Sequence, residues 1–318
     1  MTRGRVAGPR GRDERGFALL VVLLVMALVA VVGAEFAYSM RLEASAVRAY
    51  KNGIIGGHLA ETALEQAIRE IVADAPYVVE EEDGLLTFYA ADRRPLPRLK
   101  RAKAELGGGF YSYRIADEEA RLNVNTAPPD RVDRLLTTLG VEKENRDTIV
   151  DSIQDWRDPN GEHRVNGAES DDYYLKLPIP YRARNANLES ITELLQIKGI
   201  TPAIYNGTKE HPGLASVVTV RGGAAVNMNT AGPTVLTALG LSAAEIIEIE
   251  QSRRNSGPYA NVPPKFNGRN LTHLTRTFRV EAEGIVDDRV AARLTAIVQK
   301  RTDVDPPSVL VLEWSGAR

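Results

Sequence analysis

Cysteine is absent from this chain of 318 residues. Disulfide bonds, thiolate metal sites and cysteine nucleophiles are therefore excluded together. Histidine is scarce as well, because the four histidines are scattered and none forms a pair at metal-ligand spacing. A glycine-rich phosphate loop, a nucleophile elbow and a histidine–carboxylate pattern are also missing. We therefore expect a protein that is not an enzyme, and the formal charge of -2 gives no sign of a polyanionic partner.

Charged side chains are missing from one long stretch near the start of the chain. Residues 17–34 read FALLVVLLVMALVAVVGA. A helix of that length spans roughly 27 Å, close to the ~30 Å hydrocarbon core of a bilayer. The residues before it carry five arginines against two carboxylates, Asp13 and Glu14, hence a net charge of +3. Because positive residues stay in the cytoplasm, we predict a single-pass protein of the bacterial inner membrane, with a cytoplasmic amino terminus and a periplasmic globular part.

Proline is missing between Pro9 and Pro76. Beyond residue 34 apolar residues recur at helical spacing with charged residues between them, which predicts one helix from Phe17 to about residue 73. Glycines at positions 53, 56 and 57 weaken its middle, each by up to about 1 kcal/mol relative to alanine. A secretory signal peptide is the alternative. It would be cleaved after the apolar run, yet the helical pattern continues past residue 34.

The dipeptide Gly16-Phe17, preceded by arginine-rich sequence, resembles the class III signal of type IV pilins and of type II secretion pseudopilins. The resemblance implies that residues 1–16 are a leader, which prepilin peptidase removes by cutting after Gly16. It also implies that Phe17 is then methylated, and that the helix over residues 17–75 is both a transmembrane anchor and the assembly element.

Most pilin-like proteins carry glutamate at the fifth position of the mature chain, which here is Val21. In a fibre that carboxylate would neutralise the amino-terminal charge of a neighbouring subunit inside an apolar bundle, where an unpaired charge is costly. A subunit at the fibre tip has no neighbour above it and needs no such carboxylate. In this replacement and in its large size the chain resembles the general secretion pathway protein K family of minor pseudopilins. An ordinary membrane anchor would also carry valine here.

Strand patterns flank a long segment without strand character in the rest of the chain. We predict strands within residues 84–92, 108–119, 275–286, 288–301 and 308–315. The predicted fold is α+β, with a long type IV pilin-like amino-terminal helix packed on an antiparallel sheet and a large all-α domain inserted between strands. The pilin-like sheet domain takes residues 76–122 and 275–318, and the inserted helical domain takes residues 123–274.

A short repeat lies within the insert. NVNTAPPDRVDRLLTTLG begins at Asn123, and NMNTAGPTVLTALG begins at Asn227. The threonine before proline in each copy predicts an N-capped helix start, and the Leu-Gly pair predicts a helix end. A further capped start is predicted between Asn187 and Glu193.

This repeat also resembles helix-hairpin-helix DNA-binding modules, so a membrane-anchored DNA-binding protein is an alternative function. Residues 117–270 hold 17 Lys/Arg against 21 Asp/Glu, whereas phosphate binding usually needs a basic face. The hairpins also lack the second glycine that lets a backbone approach phosphate. We therefore favour a protein-interaction scaffold with no nucleic-acid partner.

Acidic residues crowd the segment DSIQDWRDPNGEHRVNGAESDDYY, residues 151–174. Oxygen ligands at near-alternate positions around a glycine turn suit calcium, although a solvated acidic loop explains the composition equally well. Relatives in the protein K family carry a similar motif, DW-x-D followed by G-A-E and a double tyrosine, and bind calcium there. The resemblance implies a structural calcium site whose ligands are Asp155, Asp158, Asn160, Glu169 and Asp172, with Asp171 and Glu162 as substitutes. Asn160 stands where aspartate is common, which lowers the ligand charge.

Together these features predict a minor pseudopilin at the tip of the type II secretion pseudopilus. It would help initiate assembly and support protein export across the outer membrane. The expected partners are other minor pseudopilins, prepilin peptidase, the inner membrane, and secreted cargo or the outer-membrane secretin. A minor pilin of a type IV pilus is the alternative within the same class of machines.

Overall fold

The computed structural model describes residues 14–316, with side chains from residue 16 onward. Residues 1–13 of the predicted leader lie outside the described residues. The chain divides into two units, Met1–Ile55 and Gly56–Arg318. The first helix, α1 (Glu14–Val72), contributes residues to both units. It ends shortly before Pro76, which disfavours helical backbone in the residue that precedes it.

In the first unit, the described part of α1 is apolar on all sides over residues 17–34, and these side chains are exposed. Between residues 14 and 316, α1 is the one helix long and apolar enough to cross a membrane, with a mean hydropathy of 3.1 in its most apolar window. A helix that is apolar all round requires an apolar environment on every face. The predicted long helix is therefore observed, and its length and composition suit a membrane span.

The second unit contains the strands and the remaining helices. The strands described within it are β1 (Tyr77–Glu80), β2 (Leu86–Tyr89), β3 (Ala104–Leu106), β4 (Gly109–Asp117), β5 (Leu122–Asn123), β6 (Val218–Thr219), β7 (Val226–Asn227), β8 (Leu271–Thr272), β9 (Thr277–Val286), β10 (Arg289–Arg301) and β11 (Ser308–Gly316). The helices are α2 (Pro129–Thr138), α3 (Lys143–Arg157), α4 (Pro202–Asn206), α5 (Leu214–Val217), α6 (Pro233–Ala238) and α7 (Ala243–Ser256).

The main sheet has five antiparallel strands in the order β11-β10-β9-β4-β3. The last part of α1 packs on it and buries small and aliphatic side chains one helical turn apart, among them Ala60, Leu64, Ala67 and Ile71. This spacing places one apolar stripe of the helix against the apolar face of the strands. β1 and β2 form a separate antiparallel hairpin.

Two glycines, Gly56 in α1 and Gly284 in β9, allow α1 to approach β9 and β10 closely. A Cβ atom added at Gly56 would lie 2.6 Å from Cβ of Ala291. A Cβ atom added at Gly284 would overlap the carbonyl oxygen of Gly56. Gly56 therefore weakens the helix locally but permits its contact with the sheet.

The insert leaves the sheet at the end of β4 and returns at the start of β9. These strands are neighbours, and Asp117 stands opposite Phe278 in their register. The insert has a separate core that includes Leu136, Ile153 and Leu236. It is not wholly helical, because β5 pairs with β6 and β7 pairs with β8, both in parallel. Each pair includes the start of one copy of the Asn-x-Asn-Thr repeat. The first asparagine of the first copy lies in β5, and the first asparagine of the second copy lies in β7.

The five strands predicted from the alternating pattern are confirmed as β2, β4, β9, β10 and β11. The short strands β1 and β3 were not predicted, and neither were β5, β6, β7 and β8, which begin, lie within or end the insert expected to be all-α. The predicted threonine caps are wrong: Pro128 and Gly232 occupy the cap positions of α2 and α6, with no side-chain cap. The third predicted start is a 3-10 helix, Ile191–Gln196, whose capping box pairs Ser190 with Glu193. The helix ends at Gly140 and Gly240 are as predicted, with φ of 75° and 84°.

Candidate functional site

The acidic segment begins at the carboxyl end of α3. Asp155 lies in its last turn, and Asp158 is the residue that follows its end. The carboxyl end of a helix carries partial negative charge, so two carboxylates there repel both each other and the helix. This end of α3 therefore requires a cation or several N–H donors.

Asp155 is fully buried and receives those donors. Its Oδ1 accepts from Arg164 Nη1 at 2.6 Å, and its Oδ2 accepts from the Arg164 backbone N–H at 3.1 Å and from the Ala168 N–H at 2.9 Å. A Cβ at position 167 would overlap the carboxylate of Asp155, which explains the glycine of the G-A-E motif. Asp155 thereby fixes the loop that carries the second group of acidic residues.

Glu169 is the second buried carboxylate of the segment, with 2% of its surface exposed. Its Oε2 accepts from the Ser170 N–H at 3.3 Å, whereas Oε1 has no partner. Burial raises the pKa of Glu169, the Ser170 N–H partly offsets this rise, and the carboxylates of Asp155, Asp158 and Asp172 add to it. The three aspartates therefore make the ionised form of Glu169 less favourable.

The remaining predicted ligands lie around this pair. Asp172 Oδ1 accepts from the Glu169 N–H at 2.9 Å. The amide oxygen of Asn160 is turned into its own loop and accepts from the Glu162 N–H at 2.8 Å. Its backbone carbonyl accepts from Asn185 Nδ2 at 2.6 Å. Asn185 was not predicted, because an asparagine twenty-five residues away in a loop gives no sequence signal. Asp171 and Glu162, the predicted substitutes, are exposed.

Two buried carboxylate oxygens of this segment, Asp158 Oδ1 and Glu169 Oε1, have no hydrogen-bond partner, and neither has Oδ1 of the neighbouring Asn185. Oxygen atoms of this kind are the ligands that calcium prefers, and buried acceptors are rarely left unpaired. Over residues 14–316, however, no three acidic or histidine side chains converge closely enough to hold a metal as they stand. The donor set fits calcium in chemistry, and the side chains would have to close around the ion.

The aromatic residues of the motif belong to the core of the insert. Trp156 and Tyr174 are buried, and their rings meet edge to face with centroids 5.3 Å apart. Trp156 Nε1 donates to Glu193 Oε2 at 3.4 Å, and Tyr174 Oη accepts from the Lys198 N–H at 3.2 Å. The DW and YY pairs therefore anchor the acidic loop to the core of the insert.

The predicted processing residues lie on α1. Gly16 and Phe17 are within its first turn, and the Phe17 side chain is 70% exposed. Val21 lies one turn further along the apolar face, also exposed. No carboxylate occurs on the helix between these residues and Glu35.

Sequence and structure comparisons place these features in a family. A family model described as type II secretion system (T2SS), protein K, matches residues 113–211, which include the end of β4 and the acidic segment. The type II secretion system protein K of Pseudomonas aeruginosa is 32% identical over 251 residues, covering 72% of this chain and 68% of that protein. This chain belongs to the type II secretion system protein K family.

The protein of the same name from Pectobacterium carotovorum is 30% identical over 212 residues, and the match spans 60% of each chain. A solved structure titled as the GspK-GspI-GspJ complex from the enterotoxigenic Escherichia coli type 2 secretion system matches with a TM-score of 0.60. It is 17% identical and covers 87% of this chain and 99% of that chain. The resemblance to the protein K family and the pilin-like α+β fold are thereby confirmed.

Two of the glycines in the segments that resemble helix-hairpin-helix modules have polar side chains against them in this protein K family member. The His211 ring lies against Gly140, such that a Cβ added there would be 2.7 Å from its Nε2. Arg269 donates to the carbonyl oxygen of Gly240. A phosphate could approach either glycine only by displacing the side chain beside it.

A second buried carboxylate cluster joins the insert to the sheet, and the sequence did not reveal it. Asp117, Glu118 and Glu119 follow one another at the end of β4, and all three are buried. Asp117 Oδ2 accepts from Asn227 Nδ2 at 2.8 Å and from the Thr230 hydroxyl at 2.6 Å. The second copy of the repeat is therefore bonded directly to the last residue of a sheet strand. Burial raises the pKa of Asp117 to about 7, and the charge of Glu119 adds to the rise.

Proposed function

We propose that this chain is a minor pseudopilin at the tip of the type II secretion pseudopilus, where it helps initiate assembly and so supports protein export across the outer membrane. The observation that carries the proposal is α1, whose exposed apolar first third continues into a segment that packs on the sheet. The first part of α1 therefore suits membrane insertion and assembly, and its last part belongs to the globular fold. Membership of the protein K family supports the secretion machine over a type IV pilus.

Two features support the tip position. The apolar span carries Val21 in place of a carboxylate, so it offers nothing to neutralise an amino terminus above it. The insert between β4 and β9 adds a second core to the pilin-like sheet. A subunit of that bulk suits one copy at an end better than a repeating position along a fibre.

The proposed partners follow from the same features. The similar solved structure is titled as a complex with GspI and GspJ, and by that similarity we assign two smaller minor pseudopilins as partners through the helix and the globular part. Prepilin peptidase would cut between Gly16 and Phe17 and leave Phe17 methylated. The apolar helix would cross the inner membrane once, with the globular part in the periplasm near cargo and the secretin.

The first test is the intact mass of the mature protein from membranes of a host with active prepilin peptidase. A chain that begins at Phe17 and carries one extra methyl group supports the pseudopilin assignment. A chain that begins at Met1, or after Ala34, contradicts it. The variant Gly16→Leu provides the matched control, since it should remain uncut while the helix stays intact.

For the acidic segment we propose a structural calcium site formed by Asp155, Asp158, Asn160, Glu169 and Asp172, with Asn185 beside them. A calcium ion would neutralise the carboxylates and cross-link a loop that has little secondary structure. Thermal unfolding of the full-length chain in detergent, with calcium chloride or with a chelator, tests the site. Calcium should raise the midpoint of the wild type and should raise that of Asp158→Asn much less. Equal shifts for both proteins, or no shift for either, would contradict the assignment.

A further inference from the structure

One arginine bridges the two carboxylates at the carboxyl end of α3. Arg164 Nη1 lies 2.6 Å from Asp155 Oδ1 and 2.7 Å from Asp158 Oδ2. The neighbouring Arg157 does not share this role, because its guanidinium donates to Gln154 Oε1 at 2.7 Å and to the Val124 carbonyl. Arg164 therefore supplies the positive charge that these two carboxylates require.

Backbone hydrogen bonds hold the loop at Arg164 separately from its side chain. Its backbone N–H is bonded to Asp155 independently of the guanidinium, and its carbonyl accepts from the Gly167 N–H at 3.0 Å. The side chain itself is 42% exposed, whereas Asp155 is fully buried. The backbone thus holds the loop in place while the guanidinium lies at the boundary with solvent.

The arginine satisfies only part of the acidic cluster. Asp158 Oδ1 and the buried Glu169 Oε1 have no partner while the guanidinium bridges the other oxygens. A planar guanidinium directs its N–H groups in one plane, whereas a calcium ion accepts six to eight oxygens from all directions. A divalent ion would therefore serve these oxygens better, but it cannot share the space between Asp155 and Asp158 with Arg164.

We propose that Arg164 is a built-in competitor of calcium: its guanidinium neutralises Asp155 and Asp158 in the metal-free chain and must swing out when the ion binds. Arg164 then lowers the calcium affinity and adds to the stability of the acidic loop when calcium is scarce. This inference rests on the calcium site proposed above. It assigns two effects to Arg164: the residue weakens the calcium affinity of the site, and it stabilises the acidic loop in the absence of calcium.

Calorimetric titration of the full-length chain in detergent with calcium chloride tests the inference. Arg164→Gln should bind calcium about tenfold more tightly than the wild type, because the ion no longer has to displace the charged hydrogen bonds of Arg164. One hydrogen bond to a charged group changes an equilibrium constant by roughly a factor of ten. The same variant should unfold at a lower temperature in chelator. Arg134→Gln is the matched control, because Arg134 is 45% exposed and pairs with Asp130 on α2, and it should leave the calcium affinity unchanged.

The outcomes separate the two proposals. Equal calcium affinity in wild type and Arg164→Gln, or weaker binding by the variant, overturns the role of Arg164 and leaves the site standing. Absence of binding in both proteins overturns the site and the inference together. If Arg164→Gln does not fold in chelator, Arg164→Lys decides, since lysine keeps the positive charge but has a shorter side chain and fewer N–H donors than a guanidinium. That variant should bind calcium more tightly than the wild type, and unchanged affinity would overturn the role of Arg164.

Discussion

Asp117 joins the end of β4 to the insert through hydrogen bonds, one of which depends on a proton. The Thr275 hydroxyl lies within hydrogen-bond distance of both Asp117 Oδ1 and Glu119 Oε2, yet it has one hydrogen to donate. The other contact requires a protonated carboxyl group that donates to the threonine oxygen. Because burial raises the pKa of Asp117 to about 7, we infer that Asp117 is the protonated partner. Below that pH we therefore expect a neutral carboxylic acid between the end of β4 and the insert.

This arrangement makes stability depend on pH. The folded-state pKa of Asp117, about 7, lies above the ordinary value of 3.8, so folding favours the protonated form. Its contribution to the free energy of unfolding is complete below about pH 4 and is lost as the pH rises to about 7. Asp117→Asn mimics the protonated acid and should remove this loss. Urea unfolding from pH 4.5 to 8 checks it, with the exposed Asp130→Asn as control. Parallel pH curves for wild type and Asp117→Asn would contradict the proton assignment.

Val21 provides a test of the tip position at the same scale. We expect Val21→Glu to reduce the amount of the chain recovered with other pseudopilins from membranes. A carboxylate in an apolar span costs roughly 3 kcal/mol unless it is paired, and a tip subunit has no amino terminus above it to provide a partner. Val21→Leu should assemble like the wild type. Normal recovery of the glutamate variant would remove the support that Val21 gives to the tip position.

At the scale of elements, the glycines of α1 separate helix propensity from packing. Gly56 touches β10 at Ala291, whereas a Cβ at the next residue, Gly57, would meet nothing within 4 Å. Two adjacent glycines of one helix therefore have different reasons to be there. Only the first is required by the sheet.

The two glycines should respond to alanine in opposite directions. Gly57→Ala should raise the free energy of unfolding by up to about 1 kcal/mol through helix propensity. Gly56→Ala should lower it by about 1–3 kcal/mol, because overpacking outweighs the same gain in propensity. Denaturant unfolding of the two variants measures the difference directly. A gain in stability for both would show that the sheet can yield at Ala291.

Elements that depend on a local sequence pattern could be predicted, whereas features that depend on distant residues could not. Alternation along a strand and the absence of proline along α1 are local patterns, so the long strands and the helix were predicted. The threonine caps failed because Thr230 bonds to Asp117, more than a hundred residues away, and Thr126 bonds to the carbonyl of Asn123. Arg164 was not predicted for a similar reason, because the sequence does not show that its side chain bridges Asp155 and Asp158. Asn185 reaches the segment only through tertiary structure.

For the whole molecule, the arginine-rich start and the apolar first part of α1 predict one orientation. We expect alkaline phosphatase fused after Arg318 to be active, because that enzyme requires the periplasm, and cytoplasmic β-galactosidase fused there to be inactive. The net positive charge before the apolar run supplies the reason. Replacing the five leader arginines by glutamine should lower the phosphatase activity, whereas an unchanged value would mean that something other than this charge orients the chain.

The register between β4 and β9 also bears on how such a protein could arise. Because Asp117 and Phe278 face each other on adjacent strands, the chain leaves and re-enters the sheet across a single step of the ladder. The segment between them could be gained, lost or exchanged in one recombination event without moving any strand. The entropy of closing a loop grows only slowly with its length, so the host sheet is little affected by what it carries. One insertion at this step of the ladder would therefore add the whole helical part to a sheet that keeps its strand order.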